Sequence, residues 1–226
     1  MATTIERALV LDVFHKQNNE FVITFFNQKG AFSLFALGLN KPASKNRSNL
    51  LQGCIVEIEY FKARLPRKMG KLKTAHLIET IDYSKFNAND MFLNLSRLWQ
   101  RIKQPNRVYQ LFVRYIKLLD AKNKWKMLTY FYANSLEYFG VHLDFQGCAL
   151  CFSRQSLIDF DLNQGGFICF NHTTGPNHKN PLVEYIWASF NDIRTYFEIN
   201  LTDNFDILNI YQKAINDYIK ITEVFD

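Results

Sequence analysis

Four side chains in the second half of the chain have the types and spacing to meet at one point: Cys148, Cys151, Cys169 and His172. They form two pairs, each with two residues between its members, and residues 152–168 separate the pairs. A C-x-x-C turn bends both sulfurs to one side. A second pair doing the same from the far end of a hairpin completes three thiolates and one imidazole, the donor set of a tetrahedral zinc site. Protein fills all four positions, so none is left open for catalysis. The pattern predicts a structural zinc ribbon over residues 145–175. Within it Ser156–Asp161 is strand-like, Asn163-Gln164-Gly165-Gly166 is turn chemistry, and Phe167-Ile168 leads into Cys169. Two alternatives stand beside this: a redox dithiol at the first pair, and His178 as fourth ligand in place of His172. Cys54 sits in the strand pattern Cys54–Ile58 and reads as a small buried hydrophobe.

The elements that must position these groups follow from hydrophobic period. A hydrophobic content of 48% with 21 Phe in 226 residues supports real cores. Residues 1–80 read as five short strands: Ala8–Phe14, Phe21–Phe26, Ala31–Ala36, Cys54–Phe61 and Ala75–Glu79. That number in eighty residues suits a small closed barrel of the oligonucleotide-binding (OB) type, and an SH3-like barrel would give a similar pattern. Helical period takes over near Asn89. Phe92, Leu95, Trp99 and Ile102 share a face, and Val108, Leu111, Phe112, Tyr115, Ile116 and Leu119 recur at steps of three and four. Trp125–Phe139 reads as a third helix closed by Gly140. Further stripes follow from Val183 to Phe197 and from Phe205 to Ile219. The expected architecture is α+β and multidomain: an OB-fold barrel over residues 1–80, then a helical bundle over 81–226 interrupted by the zinc ribbon.

Charge divides the chain. Residues 1–80 carry 12 Lys and Arg against 6 Asp and Glu, and residues 97–126 carry 9 against 1. Residues 127–226 carry 5 against 12. A basic first half points to a polyanion partner. Two segments concentrate the cations: Lys41, Lys45 and Arg47 in one loop, and Arg64, Arg67, Lys68, Lys71 and Lys73 in a second loop over residues 62–73. Arg97, Arg101, Arg107, Arg114 and Lys117 lie in the helical stretch. Such groups neutralise phosphates with little sequence preference, while Phe25, Phe32 and Phe35 are candidates for stacking on bases. Catalysis has no comparable support: no glycine-rich phosphate loop occurs, and His15, His76 and His142 have no evident nucleophile. No apolar run is long enough to span a membrane, no signal-peptide pattern opens the chain, and the cysteines do not form a disulfide framework, so a cytoplasmic location is expected.

The order barrel, basic helices, C-x-x-C ribbon, helices resembles the bacterial RecO recombination mediators. The resemblance spans the whole length. It rests on Gly30–Pro42 with Ser44, on Leu51-Gln52, and on Tyr138-Phe139-Gly140 ahead of Cys148-Ala149-Leu150-Cys151. The chain departs from the family at His172, where many zinc-bearing members carry cysteine, and at Leu37, where an arginine is usual. The resemblance implies binding of single- and double-stranded DNA and annealing of complementary strands. It also implies loading of RecA, with RecR as partner, onto strands coated by single-strand binding protein, in the nucleoid. An RNA- or ribosome-associated module built from the same barrel and ribbon is the alternative, and a protein-bridging adaptor a third.

Overall fold

A computed structural model describes residues 2–65, 68–81, 83, 87–141, 143–173 and 180–223. The chain forms two compact units, Met1–Ala121 and Lys122–Asp226. The helices that follow residue 81 are thus shared between them: the first two belong with the barrel. Among the described residues no helix is long and apolar enough to cross a membrane.

The first unit opens with β1 (Thr4–Gln17), β2 (Glu20–Asn27), β3 (Gly30–Leu37), β4 (Ile55–Phe61) and β5 (Gly70–Glu79). They close into an OB-like barrel in the order β1-β2-β3-β5-β4. Ala8, Val10, Ile23, Phe25, Leu34, Ile58 and Leu72 fill its interior. Every strand but β4 runs further than its apolar core predicts. The largest extension at a single end is that of β5, which begins at Gly70, so Lys71 and Lys73 lie on a strand and not in a loop. The pairing gives the reason. Glu59 faces Thr74 but Tyr60 faces Leu72, so Lys73 is the extra residue of a bulge. Leu72 and Ala75 both turn inward although three residues apart, and the period of two is broken.

The run Ala8-Leu9-Val10-Leu11 is apolar on both faces because both are covered. Ala8 and Val10 enter the barrel, while Leu9 and Leu11 are buried on the outside, where α1 (Asn89–Trp99) packs on β1. Trp99 is fully buried, stacks on Phe26 at 5.1 Å between ring centroids, and meets Phe112 of α2 (Val108–Tyr115) edge-on at 5.6 Å. The period predicted through Leu119 ends sooner as an α-helix: Ile116–Leu118 is a single 3-10 turn.

The second unit holds α3 (Lys124–Ala133), a 3-10 turn over Leu136–Phe139, then β6 (Asp144–Cys148), β7 (Leu157–Asp161) and β8 (Gly166–Cys169). It ends with α4 (Val183–Asn191), α5 (Ile193–Tyr196) and α6 (Leu201–Glu223). The predicted third helix is therefore broken before Gly140, whose left-handed backbone (φ 68°) stops the 3-10 turn. The small sheet has the order β6-β8-β7, with β8 parallel to β6 and antiparallel to β7. α3, α4 and α6 enclose the core around Phe131, Ile186 and Tyr211, where the Ser189 and Tyr211 hydroxyls are hydrogen-bonded at 2.7 Å. Phe160 of β7 stands between Phe167 (5.0 Å) and Phe190 of α4 (6.4 Å), which seats the sheet on that helix.

Candidate functional site

β6 delivers Cys148 to the start of a tight turn. The Phe152 N–H donates back to the Cys148 carbonyl at 2.7 Å, and Phe152 takes a left-handed backbone (φ 61°). Gly147 permits the approach, since a Cβ there would sit 2.6 Å from the Phe152 carbonyl oxygen. β8 delivers Cys169, and the His172 N–H donates to the Cys169 carbonyl at 2.9 Å, closing the second turn. Pairing of Cys148 beside Phe167 sets the two turns side by side.

The four ligand atoms lie within 4.8 Å of one another. Cys151 Sγ and Cys169 Sγ are 3.8 Å apart, and His172 Nδ1 is 3.6 Å from Cys148 Sγ and 3.3 Å from Cys169 Sγ. Sulfurs at about 2.3 Å and a nitrogen at about 2.0 Å on one tetrahedral ion would be separated by about 3.8 Å (S to S) and about 3.6 Å (S to N). The donor set therefore fits a metal ion. Burial opposes ionisation of Cys148. The N–H groups of Leu150, Cys169 and Cys151, with His172, outweigh it and bring the thiol down to about 6, toward the thiolate that binds metal. For Cys151 the Ser153 N–H favours the thiolate, but desolvation and the neighbouring sulfurs of Cys148 and Cys169 prevail and raise it. Among the described residues His172 is the fourth member of the cluster; His178 and His142 lie outside them.

In the first unit, Lys41, Lys45, Arg47, Arg64, Lys68 and Lys71 are exposed and make no ion pair among the described residues. Arg67 lies outside them. The loop over residues 41–49 is laced to β5. Asn46 Oδ1 accepts from the Ala75 N–H (2.9 Å), its Nδ2 donates to the Lys73 carbonyl (3.2 Å), and Asn49 Nδ2 donates to the Ala75 carbonyl (2.8 Å). These two asparagines hold the loop that carries Lys45 and Arg47 against β5 at Lys73 and Ala75. Composition carries no sign of them, because Asn in a polar loop reads as turn chemistry. Lys73 is drawn to Glu59 (2.8 Å) and Lys117 to Glu79 (3.8 Å). Arg97, Arg101, Arg107 and Arg114 are exposed on and between α1 and α2. Of the three candidate stacking rings, Phe25 is fully buried, whereas Phe32 and Phe35 are half-buried.

Residues 1–81 match the family model described as Recombination protein O N terminal, and residues 95–185 match Recombination protein O C terminal. The chain belongs to the RecO family. The first RecO match ends with the barrel, and the second runs from α1 through the Cys3His cluster into α4. A DNA repair protein RecO of Mesoplasma florum is 28% identical over 206 residues, covering 85% of this chain and 76% of the relative. The DNA repair protein RecO of Desulforamulus reducens is 22% identical over 204 residues (86% and 77%), and that of Bacillus cytotoxicus 21% over 196 (82% and 77%).

Proposed function

We propose that this chain serves DNA repair by recombination. It binds single- and double-stranded DNA through the basic face of the first unit and anneals complementary strands. With RecR it helps load RecA onto strands coated by single-strand binding protein. The observation that carries this reading is the laced loop: Lys41, Lys45 and Arg47, which make no ion pair among the described residues, sit on a loop tied to β5 of an OB-like barrel at Lys73 and Ala75, in a chain of the RecO family. Fixed cations on one face can screen the repulsion between two phosphate backbones. Arg64, Arg67, Lys68 and Lys73, and the helical set Arg97, Arg101, Arg107, Arg114 and Lys117, extend the proposed DNA surface. The protein is proposed to work without turnover, in the cytoplasm at the nucleoid.

Zinc is the proposed metal of Cys148, Cys151, Cys169 and His172, because three thiolates and one imidazole in a closed tetrahedral site select it. When bound it supplies a cross-link between the two turns. The function is tested by fluorescence-quench annealing of complementary oligonucleotides, bare and coated with single-strand binding protein. The rate is expected to rise over the protein-free control in both conditions and to ignore ATP. A rate equal to the control in both would move the RNA-binding alternative ahead.

A further inference from the structure

The barrel has a second feature at the end that carries the β2–β3 turn, and none of its residues belongs to the basic set above. β3 and β5 share only two pairs, Leu34 with Gly70 and Phe35 with Lys71. β5 never reaches the first half of β3. There the Ala31 N–H donates to the Ile102 carbonyl at 2.7 Å, which lays residues 102–104 along the strand. Gly30 permits this, since a Cβ there would lie 2.8 Å from the backbone of Ile102 and Gln104. What remains is a cleft of about 430 Å³. Phe32 and Tyr60 line it with ring centroids 6.0 Å apart, and Lys62 and Lys103 stand at its rim.

Its charges are unbalanced in one direction. Among the described residues the only carboxylate lining it, Glu6, is taken up by Lys29 (2.6 Å) and by Asn27 Nδ2 (2.9 Å). Lys62 and Lys103 make no ion pair among the described residues. Desolvation holds the Lys103 ammonium below its ordinary value with no anion to offset it.

We propose that this cleft takes one unpaired nucleotide, its base against the Phe32–Tyr60 pair and its phosphate on Lys62 and Lys103. The volume falls in the range of small-molecule sites, about 300–1,000 Å³. Every base offers a π face to an aromatic floor, so the site is blind to sequence. Ammonium groups suit a phosphate. A paired base inside a duplex is stacked and cannot enter without being turned out. The inference rests on the nucleic-acid reading and deepens it: the basic loops hold any strand, and the cleft tells single strands from duplex. The occupant is either a nucleotide within a strand or a free mononucleotide.

The test uses the full chain, a single-stranded oligonucleotide carrying 2-aminopurine, and a blunt duplex of the same length. Phe32→Leu and, separately, Lys103→Gln should each weaken single-strand binding about tenfold while duplex affinity holds. Phe32→Leu should also abolish the change in 2-aminopurine emission. Lys103 is exposed, so its variant is expected to melt like the parent and guards against a loss through misfolding. Competition by dAMP, with inorganic phosphate failing to compete, would assign a free nucleotide as occupant. Failure of both to compete, with the oligonucleotide effects intact, would assign a nucleotide within a strand. Equal losses on single strand and duplex, no loss on either, or phosphate competing as well as dAMP would each overturn the cleft. Binding that persists unchanged in both variants would leave the loop-based function standing. A parent protein that binds no nucleic acid would remove that function as well.

Discussion

Asn46 is hydrogen-bonded to Ala75 from the far side of a long connection: its Oδ1 accepts from the Ala75 N–H at 2.9 Å, and its Nδ2 reaches the Lys73 carbonyl nearby. One side chain thus fixes a lysine-rich loop to a lysine-bearing strand. Asn46→Ala removes both bonds and should cost about 1–2 kcal/mol in urea unfolding. It should also weaken DNA binding severalfold, although Asn46 carries no charge. Stability that falls while affinity stays constant would show that the loop does not touch the bound strand.

Reversing Lys41, Lys45, Arg47, Arg67, Lys68 and Lys71 to Glu should weaken binding of all sequences alike. Each phosphate left without its cation should reduce the slope of log affinity against log salt by about 0.7 to 0.9. Lys73 is already committed to Glu59, so Lys73→Gln alone should change the slope less than the same change at Lys41, Lys45, Lys68 or Lys71. An unchanged slope in the six-fold variant would transfer the DNA surface to Arg97, Arg101, Arg107, Arg114 and Lys117.

Elemental analysis of purified protein should give about one zinc per chain. Cys169→Ser should remove the metal and loosen β6, β7 and β8, because so small a sheet buries too little apolar surface to hold itself. The barrel lies in the other compact unit and should keep its unfolding transition. Protein that is metal-free as isolated, with the three strands protected from amide exchange, would defeat this expectation.

Trp99→Ala should cost about 3–5 kcal/mol, the usual range for deleting a buried tryptophan. Trp99 is fully buried between Phe26 and Phe112. The measurement is a urea melt at constant m-value. A destabilisation under about 1 kcal/mol would mean that α1 does not depend on this ring for its seat on the barrel.

The Cys3His cluster is legible in the sequence because its spacing is local: each pair lies within one turn, and chemistry alone picks the residues. The barrel strands are legible where burial alternates, as in Ala31–Ala36. Legibility fails wherever a residue's role depends on a distant partner. The Lys73 bulge breaks the alternation of β5, so half that strand reads as a loop. Asn46 and Asn49 act through backbone atoms more than twenty-five residues away, which no local pattern encodes. Phe25, Phe32 and Phe35 are alike in sequence, yet only packing separates the fully buried Phe25 from Phe32 at the cleft. β6 escapes a sequence reading because Asp144–Cys148 is too short and too mixed to show a period.

The two-pair ladder between β3 and β5 also sets an order of events during synthesis. A chain made from its N-terminus can pair β1, β2 and β3 at once, since their turns are short. It cannot complete the barrel until β5 has been made, more than thirty residues after β3 ends. Through that interval β3 is an open edge, the kind of strand on which nascent chains stick to one another. Lys29 stands just before it, and Lys41, Lys45 and Arg47 follow it. Charge at the margins of an unpaired strand discourages a second chain from adding to it. Lys41, Lys45 and Arg47, proposed to meet DNA in the finished protein, are thereby placed to keep the unfinished one from aggregating.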